Sequence, residues 1–216
     1  MESNHILIVV EESDSSIGFY DPNKGEIGRI KTGFWPHEIA VSDDGKTAYV
    51  TNFGIKDYDE NIGVPGASIS VIDIQNICEV KRLFTYKDLA EYKKYKAPHG
   101  VKISPNGNNL YVNVEGEDEE MLIYNLKDSS SLPIQFFKIA PELNIKEKKD
   151  DFISNFDIEE GTHNFLFSED GKYLFLSSGK KGVFKINSDS GEIIDNILLD
   201  ENNPVRGLTF TIDKRN

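Results

Sequence analysis

The sequence predicts an all-β fold assembled from serially repeated four-stranded antiparallel units, and three observations carry that reading. A short motif ending in histidine recurs at Pro36-His37, Pro98-His99 and Thr162-His163, with the histidines 62 and 64 residues apart. A Ser-x-Asp/Asn-Gly motif follows each of them and ends on Gly45, Gly107 and Gly171, at the same two intervals. The segments around these motifs alternate apolar and polar residues and are rich in β-branched and aromatic side chains, the pattern of half-buried strands.

Each unit can be justified in chain order. The first strand runs from the histidine to the serine of the turn, whose glycine supplies the positive φ that a tight hairpin requires. The second strand follows at 48–52, 110–113 and 173–177, and the third at 68–73, 121–125 and 183–187. A polar turn then leads to a fourth, as in 190–199. The N-terminal segments 6–11, 16–21 and 25–31 fit strands two to four of a unit whose first strand is missing. A weaker fourth copy begins at Val205, with Arg206 in the histidine position and Lys214 in the glycine position, so 207–212 is a strand of the missing type. Four-stranded antiparallel units in series are the blades of a β-propeller. The expected organisation is a single domain over 1–216 with about four blades: 5–31 plus 205–212, 36–85, 98–140 and 162–199. The degenerate last copy favours a second organisation, four blades of a larger ring, in which unpaired terminal strands would invite self-association.

Tyr49-Val50-Thr51-Asn52, preceded by Pro36-His37 and Ser42-Asp43-Asp44-Gly45-Lys46, resembles the Tyr-Val-Thr-Asn repeat β-propellers, a group related to bacterial lactonase-like propellers. The later copies depart from the signature as Tyr111-Val112-Asn113-Val114 and Phe175-Leu176-Ser177-Ser178. That resemblance implies seven blades in a typical member and raises a lactonase-like hydrolase as one reading of function.

Composition narrows the functional classes. The 216 residues carry 24 Lys plus Arg against 37 Asp plus Glu, a formal charge of −13, which repels phosphate backbones and anionic lipid surfaces. No nucleic acid and no membrane partner is expected. The single cysteine, Cys78, rules out an intrachain disulfide framework and a cysteine-based zinc cluster. The apolar run at 6–10 is too short for a signal-peptide core, which favours the cytoplasm. No Cys-x-x-Cys-His motif is present and Trp35 is the only tryptophan, so no haem or quinone cofactor is expected.

Meander order assigns the connections to two faces. First-to-second and third-to-fourth turns share one face, all of them short. Second-to-third and fourth-to-first connections share the other, and these include the long insertions at 53–67, 86–97, 115–120 and 140–161. Long loops on one face of a rigid scaffold are where binding concentrates, so a protein or small-molecule ligand is expected there. His37, His99, His163 and Arg206 fall at the same end, before the innermost strands, and are candidates for a channel mouth. A structural histidine bonded within its own blade is the competing reading, because repeat packing uses one residue identically in every unit. Asp57, Asp59 and Asn61 alternate like the start of a calcium loop, yet Ile62 and Ser68 occupy the positions where such a loop needs glycine and glutamate. No metal is expected, and these three residues join Glu117, Asp118 and Glu119 as ligand-binding candidates on the looped face. The run 115–120 reads as a solvated acidic loop. Tyr86, Leu89 and Tyr92, and then Phe152 and Phe156, have the spacing of short helices that pin the insertions to the scaffold.

Overall fold

The computed structural model describes residues 5–56, 59–86, 97–115, 120–138, 164–177 and 182–197, and it divides into two compact units, Met1–Phe136 and Phe137–Asn216. Asp57, Glu117, Asp118, Glu119, His163 and Arg206 lie outside the described residues, as do the strand expected at 207–212 and most of both expected short helices. No α-helix occurs among the described residues, and none there is long and apolar enough to cross a membrane.

Blade 1 is a three-stranded antiparallel sheet of β1 (Leu7–Glu11), β2 (Ser16–Asp21) and β3 (Gly25–Lys31). Blade 2 follows with β4 (Pro36–Val41) and β5 (Thr47–Asn52). A small hairpin, β6 (Ile55–Lys56) and β7 (Asp59–Gly63), interrupts it before β8 (Ser68–Asp73) and β9 (Cys78–Phe84) complete the sheet in the order β4-β5-β8-β9. Blade 3 is β10 (Pro98–Ile103), β11 (Asn109–Val114), β12 (Glu120–Asn125) and β13 (Gln135–Lys138), again in meander order. In the second unit, blade 4 is β14 (Phe165–Phe167), β15 (Tyr173–Ser177), β16 (Val183–Asn187) and β17 (Ile193–Ile197).

Blade 2 shows how period-two alternation builds the core. Ala48, Val50 and Ile72 point to one side and pack with Ile17 and Phe19 of blade 1. Tyr49, Ile69, Val71 and Leu83 point to the other and pack with Val101, Leu110, Val112, Leu122 and Tyr124 of blade 3. Blade 2 is therefore apolar on both sides, and the cores of the first unit lie between its blades. Polar bonds fix the register of blades 2 and 3: the Tyr124 hydroxyl donates to the Phe84 carbonyl oxygen at 3.0 Å and Lys81 Nζ reaches the Ser129 and Ser130 carbonyls at 2.8 and 2.6 Å. Burial raises the Tyr124 pKa, so this hydroxyl stays a donor at any physiological pH.

The short turns are copies of one another. In blade 2 the Gly45 N–H donates to the Ser42 carbonyl at 2.8 Å, the Ser42 hydroxyl to Asp44 Oδ1 at 2.7 Å, and the Thr47 N–H to Ser42 Oγ at 3.0 Å. Ser104, Asn106 and Gly107 repeat these bonds in blade 3, and Ser168, Asp170 and Gly171 in blade 4. The three glycines have φ of 69°, 70° and 71°, the left-handed region where a side chain is strained.

One insertion takes a definite form and one expectation is corrected. The stretch containing Asp59 and Asn61, where the sequence argues against a calcium loop, is strand β7 of a hairpin. The fold-back needs glycine at Gly54, Gly63 and Gly66: a Cβ at Gly66 would collide with the Asn52 carbonyl, and Cβ atoms at Gly54 and Gly63 with the Val64 and Gly54 carbonyls. The acidic run 115–120 is not solvated at its ends, since Glu115 is 3% and Glu120 1% exposed. Glu120 opens β12 opposite Val114, so the sheet itself carries it inward.

Candidate functional site

The histidines enter the fold through a repeated irregularity. Between Pro36 and Ile39, β4 holds one residue more than β5, and β10 does the same against β11 between Pro98 and Val101. Such a β-bulge re-aims side chains at the end of a strand. The backbone N–H freed by the bulge finds a side chain on the second strand: Glu38 N–H donates to Thr51 Oγ1 at 3.0 Å, Gly100 N–H to Asn113 Oδ1 at 2.7 Å, and Asn164 N–H to Ser177 Oγ at 3.0 Å. Thr51, Asn113 and Ser177 are the third residues of the three signature tetrapeptides. The departures from Tyr-Val-Thr-Asn thus keep an oxygen acceptor where the backbone demands one. Thr51 also donates its hydroxyl to the His99 carbonyl at 2.7 Å, which ties blade 2 to the innermost strand of blade 3.

Across that link His37 and His99, the two described histidines of the repeat, meet. The rings of His37 and His99 lie 4.0 Å apart at 39°, and Phe53 packs 5.5 Å from each, edge-on to His99. His99 is 4% exposed, and its Nε2 lies 3.8 Å from Glu115 Oε1. Phe53 and Glu115 hold equivalent places, since the Phe53 N–H donates to the Trp35 carbonyl as the Glu115 N–H does to that of Ala97, at 3.0 and 3.1 Å. The repeat is therefore broken here, where blade 2 carries a phenyl ring and blade 3 a buried carboxylate. His99 is consequently more than a copy of His37: it contacts its own blade through Glu115 and its neighbour through His37 and Phe53. Among the described residues no group of three or more histidine, cysteine or acidic side chains is placed to hold a metal ion.

A second feature occupies the looped end of blades 1 and 2. An open cleft of about 840 Å³ is bounded by the 13–15 turn, the 33–35 connection, the end of the β6–β7 hairpin and the last residues of β9. Its walls are mainly apolar, with Phe34, Trp35, Val64, Pro65, Phe84 and Tyr86, and polar groups enter from Asn52, Ser68 and Arg82. Asn52 supports it from beneath, accepting the Gly33 N–H at 2.9 Å and donating from Nδ2 to Ser68 and Ser70 at 3.0 and 3.1 Å. Arg82 is held by two bonds of 2.7 Å to Glu79, and this pairing raises the guanidinium pKa further. Lys56 stands 5.9 Å over the Trp35 ring.

Reasoning from sequence missed the cleft, Phe53, Glu115 and Glu120. The repeat interval of 62 residues carries the signal for Phe53 against Glu115, and the Gly54, Gly63, Gly66 spacing carries that for the hairpin.

Blades of this construction, stacked through apolar sheet faces, define a β-propeller, and comparison with known structures agrees. Hydrazine synthase of Kuenenia stuttgartiensis superposes with a TM-score of 0.66 at 22% identity, over 92% of this chain and 53% of that one. The Cps50 (Swd1) β-propeller domain of Myceliophteria thermophila gives 0.64 at 12%, over 95% and 55%. A functionally unknown protein from Desulfotomaculum acetoxidans DSM 771 gives 0.62 at 14%, over 89% and 50%. The chain spans about half the length of each, and at these identities the likeness is one of fold. No family model and no curated protein matches the chain.

Proposed function

We propose that this chain is a β-propeller binding module that takes a protein or small-molecule ligand on its looped face, in the cleft between blades 1 and 2. The cleft carries the reading: it is apolar, it has the size of known ligand sites, and it is walled by an insertion that the repeat itself does not need. Three glycines that admit no side chain hold that insertion, so the cleft exists before any ligand arrives. Trp35, the only tryptophan, lines it and reports on it. Titration with the neutral probes N-acetyl-leucine amide and N-acetyl-phenylalanine amide is expected to change Trp35 fluorescence saturably. Gly66→Ala is expected to abolish the change, while Asp43→Asn and Asn106→Ser in the short turns leave it intact. A response that survives Gly66→Ala and is lost in the short-turn variants assigns the binding face wrongly.

The His99–Glu115 pair favours a second reading, a lactonase-like hydrolase, because a carboxylate beside a histidine can orient it as a base. Hydrolysis of γ-butyrolactone that falls in both His37→Gln and Glu115→Gln supports it; no turnover removes it. Kinship with the Tyr-Val-Thr-Asn repeat propellers belongs to the same proposal, supported by the acceptor kept at Thr51, Asn113 and Ser177. So does a single domain over 1–216 in which 205–212 supplies the first strand of blade 1. Deletion of 205–216 then lowers the melting temperature and promotes self-association in sedimentation, and an unchanged monomer overturns it.

A further inference from the structure

We infer that the cleft recognises a basic, extended peptide segment of a protein partner, anchored by one large apolar side chain. This rests on the binding-module reading and specifies its ligand.

Two observations select the chemistry. The first is the form of the apolar surface. Phe34 is 76% and Val64 65% exposed at the cleft, so its apolar walls continue onto the open surface instead of closing over a ligand. A side chain dropped between them is buried while the chain that bears it passes on in both directions, as in a peptide anchor. At about 840 Å³ the space exceeds one side chain.

The second is charge. Among the described residues, Arg82 of the lining is engaged in a two-bond pair with Glu79, and Lys56 stands beside the cleft over Trp35. Lys31, near the 13–15 turn, donates to the Asp14 carbonyl oxygen at 2.7 Å. Acidic residues flank the lining in sequence, since Glu12 and Asp14 alternate with Ser13 and Ser15 in the first turn of the cleft wall. With a formal charge of −13 over the chain, the field at this end favours a cation approaching an apolar anchor point and opposes an anion.

Three acetylated, amidated hexapeptides test this through Trp35 fluorescence: Gly-Lys-Lys-Leu-Lys-Gly, the same peptide with Glu for each Lys, and the same peptide with Ala for Leu. The basic leucine peptide is expected to bind about tenfold more tightly than either control, and to weaken several-fold between low and physiological salt. Phe34→Ala, which removes an exposed ring and leaves the core alone, is expected to lower its affinity by about fivefold or more. Equal binding of the acidic peptide, or of the alanine peptide, overturns the inference. N-acetyl-leucine amide binding as tightly as the basic peptide also overturns it, marking a small-molecule site and leaving the binding-module reading in place. Failure of every peptide and of both neutral amides takes that reading down as well.

Discussion

The short turn of blade 2 and that of blade 3 are built from the same bonds, Ser42 with Asp44 and Gly45 in one and Ser104 with Asn106 and Gly107 in the other, and corresponding distances differ by no more than 0.1 Å. At their opposite ends the two blades part. Where blade 2 has Asn52, Phe53 and Ser68, blade 3 has Val114, Glu115 and Glu120. Asn52 bonds to Ser68 across its pair and braces an apolar cleft, whereas Val114 faces a buried carboxylate across the same pair. One end of each blade obeys the constraints of the hairpin, which admit few residues. The other end is released from them and has acquired individual chemistry.

Exchanging residues between the two blades tests that division, and the largest effect is expected at the broken position. Phe53→Ala leaves a cavity between blades and should cost about 3–5 kcal/mol in denaturant unfolding. Glu115→Ala leaves His99 beside a void in a buried site and should cost about 3 kcal/mol, the double variant with His99→Ala costing less than the two singles summed. Asn52→Val, which gives blade 2 the residue of blade 3, removes the acceptor of the Gly33 N–H and should cost about 1–3 kcal/mol. Thr51→Val should cost about 1–2 kcal/mol by the same argument, while Thr51→Ser is nearly neutral because Ser177 already serves that role in blade 4.

The smallest effect concerns acid. The Ser42 hydroxyl first, and then the Lys46 N–H, hold the Asp44 carboxyl below its ordinary pKa, and Ser168 with Lys172 does the same for Asp170. A depressed folded-state pKa gives stability that is present above the unfolded value and lost as pH falls through the folded one. Asp44→Asn and Asp170→Asn should therefore flatten the stability profile below about pH 4, and Asn106→Asp should steepen it. Equal slopes in all three variants would show that these turns do not sense protonation.

The blades were legible because their causes are local. Three histidine motifs, three Ser-x-Asp/Asn-Gly turns and alternating strands each dictate their own few residues, and the observed strands fall where those signals stand. The site was less so. His37 and His99 could be placed at one end by meander parity, but their ring contact depends on the angle between neighbouring sheets, which no spacing encodes. Glu115 and Glu120 looked like solvent-exposed charge because burial at a strand's first residue depends on what packs above it. The cleft is assembled from five segments scattered over 13–86, none of which is distinctive alone.

The left-handed residue ahead of each proline has a wider consequence. Trp35, with φ of 46°, ends the brief connection 32–35, and Ala97, with φ of 54°, ends the much longer 85–97, yet each turns the chain into its innermost strand and accepts the same backbone bond. A fixed entry of this kind insulates the strand from whatever precedes it. Connections of very different length and content can be spliced upstream without disturbing the frame, so the looped end is open to grafting, in the laboratory as over evolutionary time.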